Sequence, residues 1–164
     1  MATETSRDPY WKLRPVPPTP DSELCKCAGI SSLILQPHLT SNAVSCAVCG
    51  LEVTPDRIRF SEQVADEIAR WNSFHGAFYT LWLDSGEFES WARQQLERLG
   101  SPVNVRGLEI ARRITESHKC YYWYFQDTGV EGFSPLSTCP HCSGALSPLG
   151  RWLACEACSI VVAN

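Results

Sequence analysis

An α+β fold, with two small β-hairpin ribbons flanking a helical middle and an aromatic strand, follows from three observations. Four cysteines gather toward each end of the chain: Cys25, Cys27, Cys46 and Cys49, then Cys139, Cys142, Cys155 and Cys158. Between the quartets, apolar residues recur at steps of three, four and seven, which is the helical period. Five consecutive aromatics, Tyr121 to Phe125, suit a strand.

The second quartet is the clearer one. Cys139-Pro140-His141-Cys142 and Cys155-Glu156-Ala157-Cys158 are two Cys-x-x-Cys turns separated by twelve residues. Each turn brings two thiolates together, and a hairpin between the turns joins the pairs, which is the spacing of one tetrahedral zinc site. Pro140 pre-sets the first turn, and Gly144 is expected to supply a positive φ just beyond it. Arg151–Ala154 and Ser159–Val162 read as short strands beside the second pair. A redox dithiol and a disulfide pair explain four matched cysteines less well.

Cys25-Lys26-Cys27 and Cys46-Ala47-Val48-Cys49-Gly50 repeat the theme across eighteen residues. Ser32–Leu35 and Ala43–Ser45 read as its strands, with a turn from Pro37 to Asn42. A Cys-x-Cys turn is tighter than a Cys-x-x-Cys turn, and His38 is the alternative ligand should Cys25 or Cys27 be free. Two structural zinc ions are therefore expected, on Cys25, Cys27, Cys46 and Cys49 and on Cys139, Cys142, Cys155 and Cys158.

The quartets divide the chain into a proline-rich arm (1–22), a first ribbon (23–52), a helical middle (53–118), and an aromatic strand with the second ribbon (119–164). In the arm, Pro15, Pro17, Pro18 and Pro20 prevent regular hydrogen bonding, and Tyr10, Trp11 and Leu13 are candidate anchors. In the middle, Ser61 caps a helix carrying Val64, Ile68, Trp71, Phe78 and Trp82 on one stripe, which Gly76 is expected to break or bend. A second segment places Phe88, Trp91 and Leu96 inward and stops at Gly100. Asn104 is expected to cap a third helix, with an i,i+4 pair between Glu109 and Arg113. In the aromatic run, Cys120, Tyr122 and Tyr124 face one way and Tyr121, Trp123 and Phe125 the other. The strand is a candidate to pair with one ribbon's hairpin.

The polar start of the chain and the absence of a long apolar run predict a cytoplasmic protein with reduced, metal-bound cysteines and no membrane partner. The formal charge is −4 with thiols counted neutral. Eight thiolates and two zinc ions would bring it to about −8. That argues against broad attraction to nucleic acid.

The order of Cys-x-Cys, Cys-x-x-Cys, Gly107-Leu108-Glu109-Ile110, Cys120–Phe125, Cys139-Pro140-His141-Cys142 and a closing Cys-x-x-Cys resembles an uncharacterised bacterial family of zinc-ribbon proteins described as possibly nucleic-acid-binding. The resemblance runs from Cys25 to Asn164. It implies the eight zinc ligands and a bacterial cytosolic setting, and it implies no reaction. Members carry a longer segment before the first cysteines, and Gly rather than Ser143 after the Cys-Pro-x-Cys turn.

Two binding functions are open. For nucleic acid, RNA or DNA, the contact candidates are Arg93, Arg98, Arg106, Arg112, Arg113 and Lys119, the only locally basic stretch, with the aromatic strand as a stacking surface. Against it, Lys26 and Arg151 are the only basic residues within the two quartets. The alternative is a protein–protein adapter stiffened by two zinc sites, with an apolar groove in the helical middle. No enzyme is expected: both quartets are closed to water, Asp84, Glu87 and Glu89 suit a helix start, and His75, His118 and His141 lie singly. Cys120, the odd cysteine, reads as a buried small hydrophobe, with a reactive thiol as its alternative.

Overall fold

The aromatic strand is the spine of the molecule. In the computed structural model, which describes Tyr10, Leu13 and residues 15–40 and 42–164, it forms β3 (Cys120–Trp123). It is flanked by β1 (Leu33–Leu35), β2 (Val44–Cys46), β4 (Ser147–Leu149), β5 (Trp152–Cys155) and β6 (Ile160–Ala163) in one sheet of order β2-β1-β3-β6-β5-β4. Both hairpins are antiparallel, and β3 joins them by parallel pairing with β1 and with β6. The strand thus pairs with both ribbons rather than one. Trp11 falls outside the described residues; Tyr10 and Leu13 are exposed.

The helices are α1 (Pro55–Ile58), α2 (Glu62–Asp84), α3 (Glu89–Glu97) and α4 (Pro102–Thr115). Ser61 caps α2, its hydroxyl accepting from the Val64 N–H at 3.3 Å. The helix runs unbroken through Gly76, where its own hydrogen-bond ladder outweighs the modest propensity cost of one glycine. Within the stripe, Ile68 and Trp71 are buried, while Val64, Phe78 and Trp82 are only half-buried. In α3, Leu96 and Ala92 are buried, but Phe88 and Trp91 are each 49% exposed, contrary to the inward placement expected of them. Only one side of this short helix meets α2, and Trp91 touches it through Phe78, with the rings tilted by 38° and their centroids 5.5 Å apart.

Period-two alternation sends Cys120 and Tyr122 to the helical face. There they join Leu33, Leu35, Trp71, Ile110, Ala111 and Ile114 in the main core. Tyr121 points to the opposite face, with Ile34, Ala47, Trp152, Ala154 and Val161. That second face is covered because the sheet rolls on itself. Ala47 lies just beyond β2 at one end of the strand order, yet a Cβ on Gly150, in the β4–β5 turn, would come within 2.8 Å of the Ala47 carbonyl.

Asn104 does not cap its own helix. Ser101 occupies the N-cap position, and Asn104 is fully buried one turn inside α4. Its Nδ2 donates to the carbonyls of Leu96 at 2.9 Å, Arg98 at 2.8 Å and Gln95 at 3.2 Å, so it serves the end of α3, where carbonyls lack helical partners. Its Oδ1 accepts from the Tyr122 hydroxyl at 2.6 Å. Arg113 likewise bypasses Glu109 and pairs with Glu67 on α2. A partner on the neighbouring helix ties two elements together, which an i,i+4 partner cannot do.

His75 is fully buried on α2 between Trp71 and Trp123, and neither ring nitrogen meets a hydrogen-bond partner among the described residues. Burial pushes its pKa down to about 4. The unfolded chain, near 6.5, therefore takes up a proton first as pH falls. The stabilisation of the neutral ring is complete above pH 6.5 and is lost on descending toward 4, with about 2 kcal/mol gone by pH 5. A His75→Phe chain is expected to lose that much less stability between pH 7 and 5 in urea unfolding. Identical slopes would mean that the ring is already protonated or solvated in the fold. No helix among the described residues is long and apolar enough to cross a membrane.

Candidate metal centres

The first centre is built from a loop and a strand end. Cys25 follows a 3₁₀ turn (Asp21–Glu23), and its N–H donates to Glu52 O at 2.7 Å. Cys46 ends β2, and Cys49 completes the turn, in which Gly50 N–H donates to Cys46 O at 2.8 Å. Gly50 has φ +74°, a conformation open to glycine at little cost. The tight Cys-x-Cys turn has a clamp that the cysteine pattern did not reveal. Arg57 on α1 donates through Nη1 to Cys25 O at 2.6 Å and through Nη2 to Cys27 O at 2.5 Å. Glu52 holds the facing loop by accepting from Thr19, from Thr40 at 3.2 Å and from Asn42 at 3.0 Å.

The second centre sits between a turn and the β5–β6 hairpin. Cys139 N–H donates to Gly144 O, and Ser143 N–H to Cys139 O, both at 2.9 Å. The amides of His141 and Gly144 point at the sulfurs of Cys139 and Cys142, each at 3.4 Å. The residue with positive φ is Ser143, at 59°, and not Gly144. The left-handed position is the one directly after the second cysteine, as Gly50 and Ser159 (φ 53°) also show. Tyr121 OH donates to Glu156 at 2.7 Å, and Lys119 pairs with the same carboxylate, so this turn is tied to β3.

In each quartet the four sulfurs lie within 4.8 Å of one another: Cys25, Cys27, Cys46 and Cys49 in one, Cys139, Cys142, Cys155 and Cys158 in the other. Four thiolates at about 2.3 Å from one ion stand about 3.8 Å apart in a tetrahedron. Cys142 and Cys155 are 3.6 Å apart, far beyond a disulfide bond, and all nine cysteines are free thiols. Each quartet can hold one metal ion. The Gly144 amide, with the Cys158 and Cys155 thiols, brings Cys142 down to about 7, whereas burial pushes Cys49 up to about 12. A cation supplies what the least acidic members need to ionise together.

His38 lies outside the first quartet. Its Nε2 meets Ser45 Oγ at 2.8 Å, its N–H donates to Asn72 at 3.0 Å, and burial lowers its pKa. Cys120 is fully buried, and burial raises its thiol to about 12, which leaves almost no thiolate at neutral pH. Asp84 ends α2. Glu89 begins α3 and accepts from the Gly86 N–H at 3.0 Å.

The basic candidates are mostly engaged. Arg93 pairs with Glu97 at 2.8 Å and Asp127 at 3.2 Å, Arg113 with Glu67, and Lys119 with Glu156. The Arg106 guanidinium lies 4.9 Å from the centre of the Phe74 ring. Arg98 and Arg112 are exposed. Of the six, Arg106 and Arg113 share one cleft, of about 210 Å³, with Arg70, Glu67 and Glu109. In the aromatic run Tyr121, Tyr122 and Phe125 are buried, and Trp123 and Tyr124 are half-buried.

Comparison with known proteins adds nothing to this geometry: no family model, no curated protein and no solved structure matches the chain.

Proposed function

We propose that each quartet holds one structural zinc ion and that the chain is a non-catalytic interaction module whose partner is a protein. The observation that carries the metal reading is the closure of both quartets. Four sulfurs lie within 4.8 Å of one another in each, which leaves no coordination position for water or substrate. Four-sulfur tetrahedral sites suit zinc or iron, and a ribbon with a purely structural task favours the redox-inert ion. The protein-partner reading is supported by the engagement of Arg93, Arg113 and Lys119 with carboxylates and by large apolar side chains left exposed on α2 and α3.

A second reading, binding of RNA or DNA, has one observation in its favour: Arg70, Arg106 and Arg113 line one cleft beside Phe74. Glu67 and Glu109 in the same cleft weaken it.

Metal analysis of protein purified without added zinc should give about two zinc ions per chain. One or none, or a coloured iron protein, would overturn the metal assignment. A labelled single-stranded oligonucleotide at low salt should show no saturable binding. Binding that weakens with salt and in the Arg112→Glu/Arg113→Glu chain would establish the second reading instead.

A further inference from the structure

Residues 71–92 hold seven aromatic side chains and three carboxylates, Asp84, Glu87 and Glu89, with no lysine or arginine. This stretch is the second half of α2, the start of α3 and the elbow between them. The inner rings account for much of the aromatic content. Trp71 is in the core, Phe78 meets Phe74 at 5.1 Å, and Trp82 meets Phe125 at 5.0 Å. The elbow itself is another matter. Leu83 is 60% exposed, Phe88 49% and Trp91 49%, and Asp84, Glu87 and Glu89 between them are exposed as well. Phe88 is the N-cap residue of α3 and Trp91 lies in its first turn, so both stand at the N-terminal end of that helix.

Three large apolar side chains interleaved with three carboxylates that have no ion-pair partner among the described residues select their occupant by charge. A nucleic acid and an anionic lipid surface are both repelled. A second copy of this chain would bring its own three carboxylates against these. What matches is a segment with apolar residues on one face and lysines or arginines at its margins. We infer that the α2–α3 elbow is the docking surface for a cationic amphipathic segment of another protein, with Leu83, Phe88 and Trp91 as apolar anchors and Asp84, Glu87 and Glu89 as the charged rim. The anchor is preorganised: Trp91 rests on Phe78, and the Glu89 carboxylate holds the Gly86 amide at the bend. The carboxylates set the rate and sign selectivity of encounter, and the buried rings set the lifetime.

The inference rests on the reading of the chain as a protein-binding module, and it is tested on the metal-loaded full chain. The probe is a fluorescein-labelled helical peptide of leucines and lysines in amphipathic order, beside a peptide in which glutamate replaces every lysine. The lysine peptide should bind saturably, and added salt should weaken it. Phe88→Ser/Trp91→Ser should weaken it about tenfold, as should Asp84→Lys/Glu87→Lys. Both variants should keep their metal content, because no ligand is changed. Asp84→Lys/Glu87→Lys should also keep its melting temperature, since both side chains are exposed, whereas Phe88→Ser/Trp91→Ser loses the Trp91–Phe78 contact and should melt somewhat lower while staying folded. Absence of binding, equal binding of the glutamate peptide, or equal binding by the variants would overturn the inference. So would a dimer, or oligonucleotide binding, that Trp91→Ser abolishes. If wild-type and Phe88→Ser/Trp91→Ser chains capture the same proteins from nuclease-treated lysate, the protein-binding reading stands and the elbow is excluded.

Discussion

Cys139→Ser should cost the protein far more than Cys120→Ser, although both sulfurs are buried, at 2% and 0% exposure. Cys120 touches only protein. Serine there exchanges a thiol for a hydroxyl in an apolar site, at a cost of about 1–2 kcal/mol. In a chain of this size that lowers the melting temperature by about 3–6 °C. Cys139 is one of four sulfurs that can share an ion, and binding of a structural zinc is worth roughly 10–16 kcal/mol to a small ribbon. Losing one thiolate forfeits much of that, and the loss spreads. Ser159, just past Cys158, gives its carbonyl to the Tyr122 N–H at 2.7 Å, and the β4–β5 turn packs on the Ala47 carbonyl of the first centre. Cys139→Ser should therefore retain at most one ion, lower the melting temperature by more than about 10 °C, and speed amide exchange throughout β4–β6. Equal melting losses for the two variants would contradict the ligand assignment.

What could be read in the sequence was what depends on neighbours along the chain. A Cys-x-x-Cys turn is local, and so are the capping of α2 by Ser61 and the alternation of Cys120, Tyr121 and Tyr122. The α+β class and the two quartets followed from such signals. What could not be read depends on residues far apart. The parallel ladders from β3 to β1 and to β6 join segments more than thirty residues apart, and nothing near Tyr121 names them. β4 itself went unread: Pro148 lies in it, at the sheet edge where a missing N–H is tolerated. Arg57 clamps Cys25 and Cys27 from a helix that begins beyond the quartet. Asn104 carried a valid cap signal, but its carbonyl partners belong to the preceding helix. Helical period alone could not separate Leu96 from Phe88 and Trp91, because α3 covers its neighbour with one side only.

Gly107→Ala and Gly76→Ala should move stability in opposite directions. Both glycines are inside helices, where alanine is favoured by about 1 kcal/mol. A Cβ on Gly76 meets nothing within 4 Å, so that gain should appear in full. A Cβ on Gly107 would stand 2.3 Å from Tyr122 Cε2, 2.8 Å from Trp71 Nε1 and 3.0 Å from Trp71 Cε2. Neither ring is free to withdraw. Trp71 Nε1 donates to Val103 O at 2.9 Å, on the same helix as Gly107. The Tyr122 hydroxyl is bound to Asn104, whose amide in turn serves three carbonyls at the end of α3. Admitting one methyl means lifting α4 from β3 or breaking that chain of hydrogen bonds. Overpacking of this kind costs about 1–3 kcal/mol, and each buried hydrogen bond lost adds about 1 kcal/mol more. The net expectation for Gly107→Ala is a loss of about 2–4 kcal/mol by urea unfolding, with both metal ions retained because no ligand is displaced. If Gly107→Ala were as stable as Gly76→Ala, α4 would not sit against Tyr122 at this distance. The Trp71–Val103 and Tyr122–Asn104 hydrogen bonds would then not be what holds the helical layer on the sheet.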